Sequence, residues 1–185
     1  MPADIPQLAA GAVLGFASTG IIRWWQYRRD LWTSEVERFT DLLEAATESA
    51  TEYWLKSPLT SKTDQSEIEE HTFDLDMLEI KILGMQSRLD GLLACFIGQL
   101  LFQRRNSITV KLNDFSSAMT GGEFQSKNRN SDVNTARSIQ AASAELLIEL
   151  RLSVKSSLSP VGTIIYLLER LGFFVRSSVK GILGQ

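Results

Sequence analysis

The sequence predicts an all-α protein, in which a single N-terminal transmembrane helix continues into a cytoplasmic antiparallel helical bundle. Three observations carry that prediction. Residues 5–22, "IPQLAAGAVLGFASTGII", hold no charged side chain. The two segments that follow each repeat apolar residues at alternating intervals of four and three, the period of a helical seam. Ser-Pro pairs then break the chain at Ser57–Pro58 and Ser159–Pro160, with no alternating pattern of the βαβ kind and no internal repeat between them.

Residues 1–29 read as a membrane anchor with an interfacial collar. The uncharged run is 18 residues long, near the lower limit for crossing about 30 Å of hydrocarbon. Pro6 falls in the first turn, where a missing N–H costs nothing. The run ends in "GIIRWWQYRRDLW". There Trp24, Trp25 and Tyr27 match the aromatic belt of a membrane interface, and Arg23, Arg28 and Arg29 supply positive charge on one flank only. Asp4 is the only charged side chain before the run. The bias orients the N-terminus outward and the bulk of the chain to the cytoplasm, across the inner membrane if the cell is bacterial. Positive charge behind the apolar run, not ahead of it, disfavours a cleaved signal peptide. Gly11 and Gly15 form a GxxxG pair, a surface on which two helices approach closely.

Residues 30–158 read as the bundle. Trp32, Val36, Phe39, Leu43, Ala46, Ala50 and Tyr53 form a first seam, and no glycine or proline interrupts 21–57. One helix therefore runs from the collar to the Ser57–Pro58 break. Residues 57–65 connect, and Ser66 with Glu69 makes a capping box for a second helix. Its seam is Leu75, Leu78, Ile82, Met85, Leu89, Leu92 and Phe96. Pairing the two as a hairpin with residue 66 beside residue 56 brings residue 94 beside Arg28. Residues 95–103 would then run about 13 Å farther toward the bilayer, taking Arg104 and Arg105 to a depth where charge is costly. The helix must bend or stop near Gly91 or Gly98, or "GLLACFIGQLLF" must lie among headgroups with both arginines on lipid phosphate. Acidic residues cluster at the far end of this hairpin and arginines at the membrane end, the order that an anionic leaflet favours.

Beyond it, "NSITVKLNDFSSAM" reads as helix or strand, since Ile108, Val110 and Leu112 alternate. Residues 120–132 read as a mobile polar loop. Asp132 or Ser131 then caps a helix to about Ser157, with Val133, Ala136, Ile139, Leu146, Leu147, Leu150 and Val154 as its apolar positions. Residues 159–185 form a last apolar or amphipathic helix. It is expected to bury Ile164, Ile165, Leu168, Leu171, Phe174 and Val175 against the bundle. Arg170, Arg176 and Lys180 leave a lipid-surface placement as the alternative, while Glu169 and Arg170 in mid-segment argue against a second crossing.

A formal charge of −3 and pI near 5.3 argue against a nucleic-acid partner. One cysteine and one histidine leave too few ligands for a zinc centre, and no cofactor motif is present. Glu70, His71 and Asp74 lie at neighbouring positions of one helix, without the two Glu-x-x-His motifs of a di-metal bundle. Cys95, expected as a buried apolar residue, is about 36 Å from His71 along a helix, too far to form a dyad. "GGEFQSKNRN" lacks the Gly-Lys-Ser/Thr ending of a phosphate loop, and Glu145 with Glu149 is a common pair of exposed carboxylates. The expected function is non-enzymatic. It is that of a membrane-anchored bundle acting as scaffold, sensor or regulatory subunit, through self-association or a partner protein. The alternatives are an oligomeric membrane-perturbing effector and a soluble bundle carrying a ligand.

Overall fold

The computed structural model describes the backbone of residues 5–56, 65–126, 130–159 and 161–170, and the side chains of all of these except 5–18, 21 and 65–71. Helices α1 (Ile5–Leu55), α2 (Gln65–Ile97), α3 (Phe102–Thr120) and α4 (Val133–Leu158) are followed by α5 at 161–170, and no strand occurs among the described residues. The chain forms two compact units, Met1–Glu37 and Arg38–Gln185. The expected membrane crossing gains no support: among the described residues no helix is long and apolar enough to cross a membrane. Gly11, Gly15 and the rest of 5–18 lie outside the described side chains.

Within the second unit, α1 to α4 alternate in direction. Phe39 meets Phe96 edge to face at 5.7 Å, and one end farther along Tyr53 reaches Glu79, so α1 and α2 are antiparallel. Thr47 bonds Ser143 and Thr51 bonds Gln140, which sets α1 against α4 in the same sense. Lys111 pairs with Glu145 and Arg104 with Glu149, so α3 runs antiparallel along α4. Each interior face follows the four-three spacing of a bundle seam. On α1, Phe39, Leu43, Ala46, Ala50 and Tyr53 are fully buried, Trp32 of the same helix is buried, and Val36 is half-buried. On α2, Leu78, Ile82, Met85 and Leu89 are buried, and the seam then passes to Leu93 and Phe96. On α4 the buried row is Ala136, Ile139, Ser143, Leu146, Leu150, Ser153 and Ser157. Three serines sit in it where the sequence reading counted only apolar residues.

Several expectations are corrected. Phe96 stands opposite Phe39, not beside Arg28, so α2 ends within the bundle. It ends at Ile97, in keeping with the stop near Gly98 that the sequence offered, and the chain reverses through Gly98, Gln99 and Leu100, with Gln99 N–H on the Phe96 carbonyl at 2.9 Å. Arg105 stays on the protein: its guanidinium donates to the carbonyls of Leu100 and Gly98 in the turn, both at 2.9 Å. Residues 102–120, which the sequence reads as helix or strand, are helix. Ile108 and Leu112 are buried one turn apart while Val110 faces out. The first part of the polar loop is pinned, since the Phe124 ring packs on Tyr53 at 5.1 Å. Cys95 is exposed.

The far end of the bundle is tied by two adjacent aromatics. Tyr53 Oη donates to Glu79 Oε1 at 2.7 Å and accepts the Gln125 N–H at 3.0 Å. The Trp54 indole donates to the Met119 carbonyl at 3.0 Å, and the Trp54 carbonyl accepts the Asp132 N–H at 2.8 Å. Gly122 and Gln125 both take positive φ, 65° and 64°, which turns 121–126 back toward Tyr53. Asp132 caps α4, accepting from Asn134 N at 2.8 Å and Thr135 N at 3.1 Å.

Tyr53→Phe should leave the Gln125 N–H and the Glu79 carboxylate short of one partner each and cost about 1–2 kcal/mol in denaturant unfolding; an unchanged midpoint would remove Tyr53 from this role. The Thr135 hydroxyl first, then the backbone N–H groups of Thr135 and Asn134, hold the Asp132 carboxyl below its usual range. A depressed folded value means the charged cap contributes fully above the unfolded aspartate value of about 3.9 and is lost as pH falls through the folded value. Asp132→Asn keeps a capping oxygen without the titration. The stability gap between wild type and variant should therefore be widest near neutrality and close on acidification below about pH 4. A gap that stays flat with pH would contradict this.

Candidate interaction surfaces

The collar lies on α1 in the first unit. Arg28 sits over the Trp24 ring at 5.4 Å and Arg29 over Trp25 at 5.8 Å. Both pairs follow from the one-turn spacing of i and i+4 on a helix, and stacking a guanidinium on an indole is worth about 0.5–1 kcal/mol at exposed sites. Arg23, Trp24, Tyr27 and Arg29 are exposed, Trp25 is half-buried, and Arg28 is buried at 6% exposure. Four of the six collar residues therefore face outward, and Arg28 does not. Gly20, Trp24, Tyr27 and Leu31, spaced four, three and four, form one exposed row.

Grooves lie along the bundle surface among the described residues. One of about 540 Å³ runs between α1 and α4, with Glu44, Glu48 and Glu52 one turn apart along its edge and Gln140 and Ala144 opposite. Another of about 430 Å³ lies between the end of α1 and α2, where Lys56 reaches Glu52 at 3.1 Å and Asp74 at 3.7 Å. In the first, the Thr47 hydroxyl is bonded to Ser143 at 2.8 Å and the Thr51 hydroxyl to Gln140 at 2.9 Å. Glu145 and Glu149 are the partners of Lys111 at 2.7 Å and Arg104 at 3.1 Å. The hydrogen bond to Glu145, and then its charge, raise Lys111 above the usual lysine range. Among the described residues no group of three or more His, Cys, Asp or Glu is placed to hold a metal ion. The side chains of Glu67, Glu69, Glu70 and His71 lie outside the described residues.

Apolar side chains left in solvent are the more telling feature. On α5, Gly162 and Tyr166 turn inward, while Val161, Ile164, Ile165, Leu167 and Leu168 are exposed. This corrects the expectation that Ile164, Ile165 and Leu168 are buried in the bundle; Leu171, Phe174 and Val175 lie outside the described residues. The reason is local. A Cβ at Gly162 would collide with the Ser156 carbonyl oxygen, so the glycine lets α5 start tight against the end of α4. Glu169 meanwhile accepts the Phe102 N–H at 3.4 Å, placing a carboxylate at the start of α3, where helix N–H groups are unpaired. These contacts fix α5 by its polar and small residues and leave its apolar ones outside. On α2, Phe73, Met77 and Ile80 form a second exposed row on the side away from the buried seam.

Sequence reasoning gathered the buried seams of α1 and α2 but missed two things: the serine positions of the α4 seam and the outward row of α2. Both were marked by four-three spacing. The serines were passed over as polar, and the outward row because one seam had already been assigned to that helix. Comparison with known protein families, with curated proteins and with solved structures finds no match.

Proposed function

We propose that this chain is a non-enzymatic, membrane-anchored helical-bundle protein that works through self-association or a protein partner, as a scaffold, sensor or regulatory subunit. The observation that carries the interaction reading is the exposure of Phe73, Met77 and Ile80 on α2 and of Val161, Ile164 and Leu168 on α5. Apolar surface gathered in rows is characteristic of interaction sites, whereas single exposed apolar residues are ordinary. The membrane part of the proposal is supported by the uncharged run 5–22 and by the outward Trp24, Tyr27, Arg23 and Arg29. Apolar rings tipped with polar groups suit a headgroup layer, as does an arginine beside lipid phosphate.

A second reading, the membrane-perturbing oligomer, is favoured by one observation. α5 exposes apolar residues over much of its circumference, with Arg170 stacked on Tyr166 at its end.

After detergent-free lysis and ultracentrifugation, the full-length chain should sediment with membranes and be released by mild detergent. Val13→Arg, which puts a charge in the apolar run, should shift it to the supernatant. Wild-type protein in the supernatant would overturn the anchor. In mild detergent the chain should run as an oligomer or with a stoichiometric partner, and a lone monomer at all concentrations would overturn the interaction reading. Dye release from lipid vesicles by the purified chain would select the perturbing reading over the scaffold.

A further inference from the structure

Helix α2 carries two heptad rows on opposite sides. One, through Leu78, Ile82, Met85 and Leu89, is buried in the bundle. The other runs at spacings of four and three through Phe73, Met77, Ile80, Gly84, Ser87, Gly91 and Ala94 to Gly98 in the turn after the helix, and every residue in it is exposed. Its composition is lopsided. The first three positions are bulky and the last five small. Phe73, Met77 and Ile80 are 64%, 51% and 66% exposed. A Cβ added at Gly84, Gly91 or Gly98 would meet no atom within 4 Å, so nothing inside the chain requires glycine there. Two of the three lie within the helix, where each costs about 1 kcal/mol relative to alanine.

We infer that this row is a self-pairing surface, on which α2 of one chain lies antiparallel to α2 of a second copy about a twofold axis midway between Gly84 and Ser87. The inference rests on the self-association branch of the function proposed above and names its contact. In that register Phe73 faces Gly98 of the second copy and Met77 faces Ala94. Ile80 faces Gly91, and Gly84 faces Ser87. Every bulky side chain meets a small one, and the twofold repeats the match on the other half. A twofold interface must be complementary to itself, and a row that is bulky at one end and small at the other is so only when the helices run in opposite directions.

The row is about 37 Å long. Covering the bulky half removes on the order of 400 Å² of apolar surface per copy. With both halves of both copies covered, the contact reaches roughly 1,200 Å², where stable interfaces begin. The flanks are informative as well. Leu83 would face Asp90, Asp74 would face Cys95, and Lys81 would face Arg88. The last pair is repulsive and exposed, so added salt should tighten the pairing instead of weakening it.

The test uses the full chain in mild detergent. Asp74→Cys should oxidise to a covalent dimer through the natural Cys95 of the second copy. Wild type should not, because its two Cys95 residues stand about 31 Å apart; nor should Asp74→Cys with Cys95→Ser. Gly91→Ile should weaken dimerisation at least tenfold by light scattering, with helical circular dichroism unchanged because its side chain enters open space. Ile80→Ala with Gly91→Ile, which exchanges bulk for space across the same contact, should restore it to within a few-fold of wild type. An oligomer that ignores Gly91→Ile, or a double variant that fails to recover, overturns this pairing while leaving self-association through another face intact. A wild-type chain that is monomeric throughout overturns both.

Discussion

The architecture of the second unit depends on the hydrogen bonds made by Tyr53 and Trp54. A helix end leaves four carbonyls or four N–H groups without partners, and three helix ends meet here. The Trp54 carbonyl, near the end of α1, is taken by the Asp132 N–H. The Met119 carbonyl, near the end of α3, is taken by the Trp54 indole. Asp132, having donated its N–H, turns its carboxylate on the first N–H groups of α4. Tyr53 adds α2 through Glu79 and the 121–126 loop through Gln125. Two consecutive residues thus join all four bundle helices at one end. The positive φ of Gln125, a conformation that costs about 1 kcal/mol or more outside glycine, persists because its N–H has this partner.

The opposite end is closed by different means. There the turn after α2 is held by its own backbone and by the Arg105 guanidinium. The N-terminus of α3 has no side-chain cap of its own and takes a carboxylate from α5. Along the interior, Ser143 bonds Thr47 at 2.8 Å, Ser153 lies 3.3 Å from Glu149, and Ser157 accepts the Leu101 N–H at 3.4 Å. Small hydroxyl residues in a seam permit close approach while each finds a local acceptor or donor, which removes the cost of burying them. Lys111 and Arg104 on α3 are likewise committed to Glu145 and Glu149 on α4. Arg104 and Arg105, which the sequence leaves free to meet lipid phosphate, are bonded within the fold.

Much of this was legible in the sequence, and the failures have identifiable causes. The all-helical class followed from the long four-three rows, and the α4 cap from Asp132 standing before Val133, because both signals are local. The hairpin register was not local. It assumed that the two helices meet immediately across the connection, whereas Phe39 opposite Phe96 sets the pairing about a dozen residues away from that assumption. Every consequence drawn for Arg104 and Arg105 inherited the shift. Ile108, Val110 and Leu112 left helix and strand both open, because a short window with apolar residues at alternate positions also fits one face of a helix plus an exposed valine. The environment of α5 was beyond sequence reasoning for a similar reason. Apolar content predicts what a helix would prefer to bury, but Gly162 and Glu169 decide which side is turned inward.

Glycine makes the same distinction from the other direction. At Gly162 the backbone of α4 stands where a side chain would go, so the residue is explained within the chain. At Gly84 and Gly91 the space is open, the backbone is helical, and alanine would stabilise the helix by about 1 kcal/mol at each site. Stability of the isolated chain supplies no reason for either glycine. The same helix leaves Phe73, Met77 and Ile80 in solvent, where polar residues would serve an isolated bundle better. Two departures from the optimum of a lone helix, opposite in size and confined to opposite halves of one row, have a common explanation in a surface shaped to receive something outside the chain. The row's own reversed copy is the simplest object with that shape.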